Sequence, residues 1–133
     1  MKRILVAYDG GPPAQRALRT AIELARKFDA VISVVSVVPV HPGRAPIDPW
    51  DDAPVHAQEL REAKQILAEH GIEAELLEPA GQPAQTIERI AHDGSFDTII
   101  VGSRGLGPVS RFLQGSVSEH IATHADATVV IAR

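Results

Sequence analysis

The chain has 133 residues, no cysteine, 44% hydrophobic residues and a formal net charge of −4. That length suits one domain with its own core. The missing cysteines exclude disulfides, thiolate metal sites and cysteine nucleophiles, and the acidic balance withholds the basic field on which nucleic-acid binding leans. One domain over residues 1–133, a reducing cytoplasmic setting and no nucleic-acid partner are therefore expected.

Met1-Lys2-Arg3 leads directly into Ile4-Leu5-Val6-Ala7 and Asp9. This apolar stretch is too short for a signal segment or a membrane span, so no membrane partner is expected. Arg3 to Tyr8 reads as the first strand. After the breaker Gly10-Gly11-Pro12-Pro13, the residues Ala14, Ala17, Leu18, Ala21, Ile22, Ala25 and Phe28 recur with helical period and form a stripe that covers the sheet. Val31 to Val38 is a central strand of Val, Ile and Ser, and Pro39, which lacks a ladder donor, is expected to stop it.

From Pro39 to Ala53, four prolines, Gly43, Trp50 and the acidic Asp48, Asp51 and Asp52 show no period, so a long loop able to act as a lid is expected. Leu60, Ala63 and Leu67 carry a second helix that stops at His70-Gly71, and Glu73 to Glu78 alternates imperfectly, as an edge strand does. Ala84, Ile87, Ile90 and Ala91 mark a third helix. Phe96 to Val101 is a buried strand, a fourth helix runs from Gly115 to His124, and Ala127 to Ala132 closes the chain as a fifth strand.

β-branched runs alternating with helix-period segments imply parallel strands covered on both faces. The expected fold is α/β: a three-layer, doubly wound, five-stranded parallel sheet of order 3-2-1-4-5, with a ligand crevice between the first and fourth strands. Asp9 and Gly102 then meet at the strands' carboxyl ends.

The fourth strand runs into Gly102-Ser103-Arg104-Gly105-Leu106-Gly107-Pro108, and Gly115-Ser116-Val117 opens the last helix. Glycines let a backbone approach phosphate, and a helix N-terminus offers unpaired N–H groups. Ser116 adds a hydroxyl and Arg104 a cation. As ordinary turn and cap residues the same set would carry no ligand at all. Neither a Walker loop nor a dinucleotide fingerprint is present.

Gly102-x2-Gly105-x9-Gly115-Ser116 resembles the nucleotide motif of the universal stress protein family, in its ATP-binding branch. Ile4 to Gly10 resembles that family's first strand, Gly81-Gln82-Pro83-Ala84 its turn before the third helix, and Val117 to Ile121 its last helix, so nearly the whole chain is covered. The resemblance implies a flavodoxin-like or Rossmann-like domain of the adenine nucleotide alpha hydrolase kind. It also implies a homodimer paired through the last strand, a ligand that is ATP or AMP with Mg carried on the phosphates, a role in stress responses, and an unidentified protein partner.

By position, the resemblance puts Asp9 at the ribose, Val37 on adenine through its backbone, and Ala7 in the lining of that pocket. Gly102, Arg104, Gly105, Gly115, Ser116 and Val117 would hold phosphates. The chain departs from the family in having no serine or threonine cap soon after Asp9, and no proline ahead of the last strand near Asp126-Ala127-Thr128.

Asp9 could equally brace the Gly10-Gly11 turn. His120 and His124 share a helix face as a metal pair would, but the sequence offers no third ligand and no His-Glu-x-x-His, so no metal set is assigned. No serine lies in a hydrolase motif, so no catalytic residue is assigned. A nucleotide-sensing regulator is the leading reading, beside a slow Mg-dependent ATPase and a nucleotide-free scaffold.

Overall fold

The structure is a computed structural model describing residues 1–39, 53–102 and 116–133, with only the backbone at 39, 53–56 and 116–118. In chain order it contains β1 (Arg3–Ala7), α1 (Pro12–Phe28), β2 (Val31–Val35), β3 (Val38–Pro39), α2 (Ala53–Glu69) and β4 (Glu75–Leu77). There follow β5 (Ala80–Gly81), α3 (Pro83–Asp93), β6 (Thr98–Gly102), α4 (Ser116–His124) and β7 (Thr128–Ala132).

Five strands form one parallel sheet in the order β4-β2-β1-β6-β7. Counted within that sheet alone this is the expected 3-2-1-4-5, and the short, weakly alternating β4 lies at its edge. Consecutive residues of β1 face opposite ways, as the pleat requires. Ile4, Val6 and Tyr8 pack with Ile32, Val34 and Ile100 under Ala17 and Leu18 of α1 and Leu60, Ala63 and Leu67 of α2. Leu5, Ala7, Val35, Val37, Ile99 and Val101 pack on the other face with Ile87 and Ala91 of α3 and Ile121 of α4. This two-sided burial is why the strands read as continuous apolar runs.

Three details differ from expectation. The ladder between β1 and β2 ends at Ala7 and Val35, and Pro39 does not stop the strand direction. Instead Val38 and Pro39 pair in parallel with Ala80 and Gly81 as a separate two-stranded sheet. Val38 N–H donates to Pro79 O at 2.8 Å. In a parallel ladder successive N–H groups point to opposite sides, so the donor that Pro39 lacks falls on the side away from β5. Phe28 leaves the buried stripe at 53% exposure, because it is the last residue of α1 before Asp29 turns the chain in the left-handed region at φ 53°.

The lid-like segment with Trp50, Asp48, Asp51 and Asp52 lies outside the described residues, as do Arg104, Gly105 and Gly115. Among the described residues, no helix is long and apolar enough to cross a membrane.

Candidate functional site

The carboxyl end of β1 turns sharply into α1. Tyr8 N–H donates the last bond to β2, at Val35 O (2.9 Å). Gly10 then takes φ 82°, a conformation costly for residues with a Cβ. Asp9 Oδ1 accepts the Gly11 N–H at 3.0 Å, so this carboxylate braces the turn, one of the two roles its position allowed. α1 starts without a side-chain cap: Gly11 is the N-cap and Pro12 the first helical residue, where a missing N–H costs nothing. The Gln15 amide donates to Gly10 O at 3.2 Å and ties the first helical turn back to the glycines.

Gly102 ends β6, the neighbour of β1 on the other side of the switch point. A Cβ at Gly102 would stand 2.5 Å from Pro13 Cβ and 2.7 Å from its backbone carbonyl. The sheet therefore approaches the first turn of α1 so closely that only glycine fits, a reason for Gly102 that needs no ligand. The same contact brings the end of β6 beside the Asp9-to-Pro13 turn, as the topology predicts.

Val37 continues β2 past the end of β1. Its neighbours Ser36 and Val38 donate their N–H groups to Leu77 O (2.9 Å) and Pro79 O (2.8 Å). Peptide groups alternate along an extended strand, so the Val37 N–H and C=O face the opposite side, beyond the tip of β1. The Val37 and Ala7 side chains are buried in the same apolar cluster, 4% and 3% exposed. Ser116 and Val117 form the first turn of α4. A crossover helix between the parallel neighbours β6 and β7 runs back across the sheet, which puts that turn at the carboxyl edge.

A buried polar group at the same edge escaped the sequence reading. Glu59 of α2 is 8% exposed and its Oε2 accepts the hydroxyl of Ser36, itself 1% exposed, at 3.2 Å. Its Cγ is 3.4 Å from where a Cβ on Gly10 would lie, so the carboxylate sits against the turn after β1. The signal was present: Glu59 is four residues before Ala63 and eight before Leu67, on the apolar face of α2. Tyr8, 1% exposed, has a hydroxyl with no hydrogen-bond partner among the described residues. Burial first, then the charges of Glu62, Asp9 and Glu59, push the phenol above its ordinary value, with Gln15 acting the other way.

Asp9, Gly102, Val37, Ala7 and the start of α4 thus lie toward one edge of the sheet, and Glu59 and Ser36 border the turn after β1. The universal stress protein family model matches residues 1–133. A Staphylococcus aureus (strain USA300) relative that carries the universal stress protein name is 32% identical over 140 residues, spanning 99% of this chain and 84% of the relative. The structure is similar to a universal stress protein of Lactobacillus plantarum at 25% identity and TM-score 0.76, covering 99% of this chain and 97% of the other. It is also similar to one from Archaeoglobus fulgidus in complex with dAMP, at 26% identity and TM-score 0.73, covering 100% and 98%.

Proposed function

Because this chain belongs to the universal stress protein family, we propose that it binds an adenine nucleotide at the carboxyl edge of its sheet and acts as a nucleotide-sensing regulator in stress responses. The observation that carries this reading is the convergence at one edge of the Asp9 turn, the end of β6 at Gly102, the outward-facing Val37 peptide and the first turn of α4. Ligands of open parallel sheets lie at such a switch point. The similar Archaeoglobus fulgidus structure holds dAMP.

In this proposal 1–133 acts as one universal stress protein domain. ATP or AMP lies with adenine on the Val37 backbone and against Ala7, and the ribose meets Asp9. The phosphates are held by Gly102, Arg104, Gly105, Gly115, Ser116 and Val117, with Mg carried on them. The nucleotide supplies negative charge that the unpaired N–H groups at the start of α4 stabilise. A second copy would pair along β7, the outermost strand, where Ile131 is 41% exposed. A cytoplasmic protein listening to the nucleotide-bound state completes the reading.

Thermal unfolding with and without nucleotide tests it. AMP or ATP at millimolar concentration should raise Tm by several degrees, since a ligand that binds only the folded state stabilises it by mass action. GTP should do so far less. Equal shifts with all three, or none with any, would reject adenine recognition.

A further inference from the structure

The pair His120 and His124 has a third partner that only the fold supplies. α3 packs against α4 on one face of the sheet. Across that contact Glu88 Oε1 stands 2.7 Å from His120 Nδ1. The two imidazoles, one helical turn apart, stack with centroids 4.2 Å apart at 21°. One ligand atom from each of Glu88, His120 and His124 lies within 4.8 Å of the other two.

From this arrangement we infer that Glu88, His120 and His124 form a binding site for a first-row transition-metal dication of the zinc type, bridging α3 and α4. Two imidazoles and one carboxylate are the donor set that such ions take, whereas calcium and magnesium prefer all-oxygen sites. Tautomer control favours it. His124 Nδ1 lies 2.9 Å from the His120 carbonyl oxygen, which can only accept, so Nδ1 carries the hydrogen and Nε2 keeps its lone pair for an ion.

The ion would replace the hydrogen that His120 and Glu88 share and take its third bond from His124. Metal–ligand bonds of about 2.0–2.2 Å set tetrahedral ligand atoms about 3.3 Å apart, so small rotamer changes close the set. Access from solvent is open: the His120 side chain is 40% exposed and that of Glu88 19%. Glu88 and His124 also line an open groove of about 650 Å³ between α3 and the start of β7, leaving room for a water as fourth ligand. The contact of His92 Nδ1 with Asp126 Oδ2 on the same groove, at 3.3 Å, is 73% and 85% exposed and serves as a control.

Chelator-treated, nucleotide-free protein titrated with zinc chloride in a calorimeter should bind one equivalent, and its Tm should rise by several degrees. Nickel should behave alike, and millimolar calcium or magnesium should give neither effect. His124→Gln and Glu88→Gln should each weaken zinc binding at least tenfold, while His92→Gln leaves it unchanged. Metal-free Tm of each variant, measured in parallel, separates loss of ligand from loss of fold. No zinc heat at millimolar ion, undiminished binding in both ligand variants, or loss in His92→Gln would each overturn the site. None of these outcomes bears on nucleotide binding, which lies at the carboxyl edge and uses other residues.

Discussion

Single residues at both ends of the strands decide how the sheet is held. At the amino end, Asp97 Oδ2 accepts the N–H groups of Lys2 (2.7 Å) and Arg3 (3.1 Å), and Oδ1 accepts the Thr98 hydroxyl at 2.8 Å. Burial alone would raise this carboxyl, but these bonds and the N-terminal charge outweigh it and hold it below its ordinary value. A depressed folded-state value means stability that is present above the unfolded value near 3.8 and lost as pH falls through the folded one. Asp97→Asn should cost about 1 kcal/mol in urea unfolding at neutral pH, at the low end for charged hydrogen bonds because the group is exposed, and should flatten the acid limb of the stability profile.

Tyr8 gives the opposite sign. Its raised value means stability that is intact below pH 10 and lost as pH rises, so Tyr8→Phe should be near neutral at pH 7 and lose less stability in alkali. At Gly102, an alanine would press on Pro13 and should destabilise by about 1–3 kcal/mol in thermal unfolding, with or without nucleotide present.

At the scale of elements, what the chain announces depends on how each segment is buried. β1, β2 and β6 are covered on both faces, so their apolar runs and the breakers that bound them were readable in one dimension. The β3–β5 pair was not, since two-residue strands carry no period and Pro39 argued against pairing. Glu59 was passed over because a lone Glu on an amphipathic helix is most often solvated, and only packing against Gly10 and Ser36 shows otherwise. Glu88 and His120 are 32 residues apart and meet only because α3 and α4 share a face. That same packing makes Ile121, fully buried on α4, a sensitive position. Ile121→Ala should cost about 2–5 kcal/mol in chemical denaturation, and the loosened helix should carry any metal affinity down with it.

For the whole molecule, parallel strands and their crossovers send the turn after β1, the end of β6 and the start of α4 to one edge, while the α3–α4 groove lies on one face. A regulator needs a ligand whose affinity differs between two states, and backbone amides at a helix start offer a contact that a bound anion can order. The strand order was legible because the pattern of elements leaves few topologies. The proposed phosphate-holding set rests on spacing alone, since Arg104, Gly105 and Gly115 lie outside the described residues. Isothermal titration of the purified protein with AMP and ATP up to millimolar concentration decides whether the chain binds an adenine nucleotide. One nucleotide should bind per chain, at least tenfold more weakly in Gly115→Val; absence of heat with both nucleotides, or equal affinity in a folded Gly115→Val variant, would rule out such binding at the Gly115 turn.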